Sequence, residues 1–292
     1  MKEVPMQTMK RILTVSGSVF PGAKGKIGLS ILIVFTIIAV FGTFIAPYPK
    51  NFIGFDSWLS PSVKHWLGTD SYGQDVLSQM IYGTRTSFWV GIIAGLITTF
   101  IGVAVGVISG YKGGWVEESL MRVVDLFLII PTLALMIILA SFLPSMGIMS
   151  TILIIGCLSW LYMARSIRSQ TMSERQSGYV EAARMVGMKD TEIMFREILP
   201  NIIPVILANQ VLVTTQAVLA EAGLSFLGLG DPTNVSWGTI LALANANNAV
   251  MFNAWWWILP PGLAIAFFCF GFILIGNGIL EKFRANRGNA AL

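Results

Sequence analysis

The sequence predicts an all-α integral membrane protein that crosses the bilayer six times, and three observations carry that prediction. Charged residues make up 12% of the 292 residues against 55% hydrophobic ones, whereas a soluble domain carries roughly 25% charge. The charges are clustered, which leaves uncharged tracts of span length. The basic residues also fall mostly on one side of the resulting topology.

The tracts give the elements in order. Lys26 and Lys50 enclose 23 uncharged residues, Arg85 and Lys112 enclose 26, and Glu197 and Glu221 enclose 23. Each suits a helix needing about 20 apolar residues to cross ~30 Å of hydrocarbon. The uncharged run from Leu126 to Ala164 is too long for one crossing, and Pro144-Ser145-Met146-Gly147 near its middle is a turn signal. Two spans are expected there. From Pro232 to Leu280 the first part is polar (Asn245, Asn247, Asn248, Asn253) and only Ala254 onward is continuously apolar, which gives a re-entrant or surface segment and then one span. The six spans are placed near 27–46, 86–109, 120–143, 147–165, 198–221 and 254–280. The first apolar run exceeds a 7–15-residue signal-peptide core and ends in Ala46-Pro47-Tyr48-Pro49, so it reads as a retained anchor. Trp255, Trp256 and Trp257 are placed in an interfacial aromatic belt, with Pro260 and Pro261 bending or breaking the helix a turn later.

With six crossings and both termini in the cytoplasm, fourteen of the nineteen basic residues share one side: Lys2 to Lys26, Arg165 to Arg196, and Lys282 to Arg287. That satisfies the positive-inside rule and accounts for the net charge of +4 without invoking nucleic acid. The divisions are then a cytoplasmic segment 1–26, the first span with its outward loop 27–84, a membrane core 85–281 containing a cytoplasmic loop at 171–200, and a tail 282–292.

Several chemistries are excluded or unsupported. Cys157 and Cys269 both fall in spans and read as small apolar packing residues. His65 is the single histidine, so no histidine metal cluster exists. The nearest approach to a phosphate loop runs from Gly17 to Lys24, with Ala23 where the lysine must stand. No cofactor is expected in this chain. A self-sufficient, ion-coupled secondary transporter would keep ionisable residues mid-membrane, yet the span centres are nearly free of charge. Arg122 and Asp125, near a span end, are expected to pair at i,i+3.

The cytoplasmic loop is the most informative segment. Tyr179 to Val186 is rich in helix formers. Gly187 follows where a left-handed C-cap is needed, Asp190 stands as the cap of the next helix, and Glu192 precedes Arg196 in the favoured i,i+4 order. Pro200 and Pro204 mark the change to the fifth span. By periodicity alone this is either a headgroup-lying loop or a docking element.

The spelling decides between them. Glu181-Ala182-Ala183, three residues, Gly187, then Leu199-Pro200 resembles the signature loop of membrane subunits of binding-protein-dependent ABC importers, with Glu197 at a position usually aliphatic or His. Leu67-Gly68-Thr69-Asp70-Ser71-Tyr72-Gly73-Gln74-Asp75-Val76-Leu77, with Gln74 where relatives commonly have Arg, and Ser225-Phe226-Leu227-Gly228-Leu229-Gly230 followed by Ser236-Trp237-Gly238, are similar to outward segments of the second permease in dipeptide, oligopeptide and nickel importers. Alone, Asp70 and Asp75 read as solvated turn residues, and Gly223 to Gly230 as a tight turn lining the outward cavity.

The resemblance covers about residues 20–285 and implies the type I importer permease fold in a prokaryotic cytoplasmic membrane. It also implies a second homologous permease, two ATPase subunits that bind ATP and Mg and dock on the loop, and an extracytoplasmic binding protein. Peptide, oligosaccharide and nickel-chelate cargo all remain open. For the path itself, Asn209 and Gln216 share one face of the fifth span, as do Gln210 and Thr214. Such residues either hydrogen-bond between helices or line a path.

Overall fold

A computed structural model describes residues 23–143 and 147–290, with side chains to 279 and at 281. The expected N-terminal segment and most of the Gly17–Lys24 stretch lie outside the described residues, as do Pro144, Ser145 and Met146 of the expected turn. Among the described residues the secondary structure is helical, with one isolated bridge between Thr69 and Asp75.

The elements are α1 (Ala23–Ile45), α2 (Val76–Lys112), α3 (Gly114–Ile129), α4 (Thr132–Phe142), α5 (Ile148–Arg175), α6 (Gly178–Met185), α7 (Asp190–Phe226), α8 (Trp237–Ala246) and α9 (Trp255–Ala290). Five of them are long and apolar enough to cross a membrane, and α3 with α4 forms a sixth, broken candidate. The described helices thus give five spans, or six where the bent pair counts as one, and several boundaries move.

Helix α2 begins ten residues before its expected start, because Arg85 rides within the helix and Asp75 caps it. The Asp75 carboxylate accepts the Ser78 N–H at 2.8 Å. At ~1.5 Å per residue, its 37 residues exceed the ~30 Å of hydrocarbon. The expected span 120–143 is not straight: α3 and α4 meet at 84°. Pro131 lies in the break, and Ile130 before it is pushed to an extended conformation (φ −81°, ψ 128°), as the proline ring requires. Helix α7 runs unbroken through Pro200 and Pro204, where a junction was expected, and its Ile193–Ile198 turn is π-helical. Helix α9 likewise continues through Pro260 and Pro261.

Packing centres on α2, which touches α1, α3, α5, α7, α8 and α9. Close approach is made by glycines four residues apart. A Cβ on Gly102 would stand 2.5 Å from Met163, one on Gly106 2.7 Å from Ile167 and 2.8 Å from the Ala164 carbonyl, and one on Gly110 2.7 Å from the Arg168 carbonyl. This is the small-residue packing that lets membrane helices approach without a hydrophobic driving force. Gly106→Val is expected to abolish accumulation of folded chain in membranes, read by fluorescence size-exclusion chromatography. A monodisperse wild-type profile would contradict the close-packed seam.

The outward loop corrects three expectations. Asp70 and Asp75 are buried, at 0% and 4% exposure, not solvated. Asp70 accepts the Tyr72 and Gln74 N–H groups at 2.8 Å and the Gln79 amide, while burial pushes its carboxyl pKa above the ordinary value. Asp75 also meets His65 at 2.9 Å. Trp256 and Trp257 are buried, and only Trp255 is exposed as an interfacial residue should be. Trp256 Nε1 donates to the Thr69 carbonyl at 3.2 Å, and Trp257 packs edge-on to Trp58. These contacts seat the loop on α9. Elsewhere, Arg122 pairs with Glu118 rather than Asp125, which pairs with Arg165. Cys269 is buried, but Cys157 is exposed.

Candidate functional site

The loop after α5 folds as a helical hairpin with an inner and an outer face. Inside, Val180 and Ala183 of α6 pack on Ile167, Ile193, Met194, Ile198 and Ile202. Helix α6 ends in a Schellman cap: Gly187 N–H bonds the Arg184 carbonyl at 3.0 Å and Met188 N–H bonds the Ala183 carbonyl at 3.1 Å. Gly187 takes φ +80°, and a Cβ there would meet nothing within 4 Å. Any cost of substitution is therefore backbone strain.

Asp190 does not cap α7. Lys189 occupies the cap position, and the Asp190 carboxylate instead accepts the Tyr111 hydroxyl at 2.8 Å, tying the loop to the end of α2. The expected Glu192–Arg196 pair forms at 3.8 Å. A half-buried Arg168–Glu117 pair, with Nε donating at 2.8 Å, ties α5 to α3 beside the loop.

Outside, Glu181, Ala182 and Gly187 face solvent together with Met185 (83% exposed), Val186 (77%) and Phe195 (65%). Of the motif residues, Ala183 points inward, and Leu199 and Pro200 are half-buried at the base. The hairpin thus presents a small apolar tip on a packed stalk. Met185, Val186 and Phe195 were not singled out by the motif. Of these, Met185 alone stands opposite the buried Val180 and Ala183 on α6.

The polar residues of α7 divide by environment. Asn209 Nδ2 donates to Ser166 Oγ of α5 at 3.1 Å, and Gln210 Nε2 donates to Thr214 Oγ1 at 3.0 Å, against Gly95 of α2. These three have packing partners. Gln216 is exposed, between exposed Leu212 and Leu219 on the same face.

At the far end of α7, Glu221 is 2% exposed. Its carboxylate accepts Ser87 Oγ of α2 at 2.9 Å and Ser225 Oγ at 2.7 Å. Ser87 Oγ in turn accepts the Trp237 N–H at 3.2 Å, and Trp237 Nε1 donates to Thr84 Oγ1 at 3.2 Å. The node joins α2, α7 and α8. Glu221→Leu is expected to lower stability by about 2–3 kcal/mol through stranded buried hydroxyls, and Glu221→Gln by less than about 1 kcal/mol, as measured by melting in detergent. Equal losses would show that charge, not hydrogen bonding, is what the node requires. Beyond it, Gly228 (φ +77°) caps α7 as a tight turn. Burial pushes the Asp231 carboxyl upward, but hydrogen bonds from Thr233, Asn234 and the Ile148 N–H together hold its pKa below the ordinary value.

Comparison with known proteins gives a concordant answer. Residues 102–285 match the family model of the binding-protein-dependent transport system inner membrane component. A Brucella suis protein assigned as a peptide permease is 38% identical over 240 residues, covering 81% of this chain and 78% of that one. The oligopeptide transport system permease protein OppC of Bacillus subtilis is 33% identical over 259 residues, covering 87% and 83%. An inward-facing structure of the MetNI methionine ABC transporter superposes with a TM-score of 0.55 at 17% identity, covering 69% of this chain and 96% of that one.

Proposed function

Because the chain belongs to the family of binding-protein-dependent transport system inner membrane components, we propose that it is one of two homologous permeases in an ATP-driven importer of di- or oligopeptides. The observation that carries this reading is the apolar tip of Met185, Val186 and Phe195, exposed on a stalk whose inner face is packed. Exposed apolar groups held rigidly in place mark a protein interface, and the tip is small enough to enter a groove on a cytoplasmic ATPase. The peptide relatives support the cargo class. Both termini and the 171–200 loop lie in the cytoplasm in this reading, the chain has no catalysis of its own, and ATP with Mg binds the two ATPase subunits. An extracytoplasmic binding protein delivers cargo to the outward face. The path runs past Gln216 toward the second permease, while Asn209, Gln210 and Thr214 support that wall.

Cysteine accessibility tests the reading in a Cys157→Ser background, which removes the exposed native thiol. A cysteine at Ser62 is expected to react with an impermeant thiol reagent in intact cells, and one at Met185 only after permeabilisation. Co-expression of the ATPase subunits is expected to shield Met185. Labelling of Met185 from outside would overturn the topology, and unchanged labelling with the ATPases bound would overturn the docking role.

A further inference from the structure

We propose that the cavity between the end of α2 and the loop binds the phosphodiester headgroup of an anionic phospholipid, which bridges the loop to the spans. The cavity measures about 460 Å³ and is lined by Tyr111, Lys112, Trp115, Arg175, Arg184 and Asp190, three cations against one carboxylate. Among the described residues, neither arginine forms an ion pair. Their guanidinium carbons stand 5.8 and 5.6 Å from the centroid of the Tyr111 ring. Arg184 also bonds the Tyr111 hydroxyl, and both guanidinium groups keep further N–H donors that can bind phosphate. Asp190 is held by the Tyr111 hydroxyl at 2.8 Å.

The position of the cavity selects lipid over free phosphate. The chain turns back at Gly113 (φ +68°) and Gly114 (φ +55°), between the spanning α2 and the apolar α3–α4 pair. The 26 uncharged residues before Lys112 outrun the ~30 Å of hydrocarbon, so the turn falls in the headgroup layer. Trp115, 81% exposed at that level, is placed as interfacial tryptophans are, and basic pockets between helices on the cytoplasmic side suit anionic headgroups. The choice of leaflet rests on the topology proposed above.

Native mass spectrometry of the assembled transporter, loaded with phosphatidylglycerol or phosphatidylcholine, tests the site independently of transport. Preferential retention of phosphatidylglycerol is expected. Lys112→Gln, Arg175→Gln and Arg184→Gln should each weaken it about fivefold, whereas Arg122→Gln, outside the cavity, should keep it. Equal retention of both lipids overturns the proposal, as does equal loss in Arg122→Gln. Displacement of the lipid by inorganic phosphate would assign the cavity to free phosphate instead. Retention of the lipid by the permease pair but not by the assembled transporter would assign the cavity to an acidic segment of the ATPase partner.

Discussion

Aspartate at Met185 and Val186 together is expected to reduce ATP-driven uptake by more than about a hundredfold while leaving the chain folded in the membrane. Both side chains are exposed in the isolated chain, at 83% and 77%, so their replacement removes nothing from the core. Burying such a side chain against a partner contributes about 1.5–3 kcal/mol, and a carboxylate in the same desolvated place carries a further cost. Each 1.4 kcal/mol is a factor of ten in affinity. Gly187 offers a complementary test, because a Cβ there meets no neighbour and only the φ of +80° is penalised. Gly187→Ala should cost about 1 kcal/mol and Gly187→Val more, through β-branching. Uptake and ATPase rates are measured in proteoliposomes containing all subunits. Normal uptake by the double aspartate variant would remove the tip from the coupling route.

The expected helix, break and helix of the loop form as read where local chemistry governs. Gly187 adopts the left-handed cap and Glu192 meets Arg196, since both depend on neighbours within one or two turns. The order of the five long spans was legible for a similar reason: uncharged length is a one-dimensional property. Boundaries were less so. A charge count stops a span at Arg85 or Glu221, whereas the helix stops where caps and prolines act, at Asp75, Pro131 and Gly228.

What failed to read from the sequence depends on tertiary partners. Asp70 and Asp75 look like solvated turn residues until Gln79 and His65 close over them. Trp256 and Trp257 look interfacial until the outward loop folds onto them. Asp125 stands three residues from Arg122, yet Arg165 from the neighbouring helix takes it, because side-chain reach across a helix pair competes with reach along one. The glycines at 102, 106 and 110 stand four apart, but only the fold shows that they admit α5.

The purified chain alone, reconstituted in liposomes, is expected to show neither ATP hydrolysis nor concentrative uptake, and to gain ATP-driven uptake when the second permease, the ATPases and the binding protein are added. An ion-coupled carrier needs an ionisable group that can load and release its ion mid-membrane. Glu221 is the buried carboxylate among the described spans, and both its oxygens accept serine hydroxyls at 2.7 and 2.9 Å near one end of α7. It is positioned as a structural node. Exposed apolar residues on α1 and on the Leu212–Gln216–Leu219 face of α7 further suit one wall of a path that a second chain completes. Coupling then needs a partner with two states, since a nucleotide shifts an equilibrium only by binding those states differently. Under the proposed function, closure of an ATPase pair on the 171–200 loop would supply that difference, and the packed stalk would transmit it as a rigid-body swing of α5 and α7. Uptake by the chain alone, driven by an ion gradient and lost in Glu221→Gln, would instead make this residue the coupling site and the chain a secondary transporter.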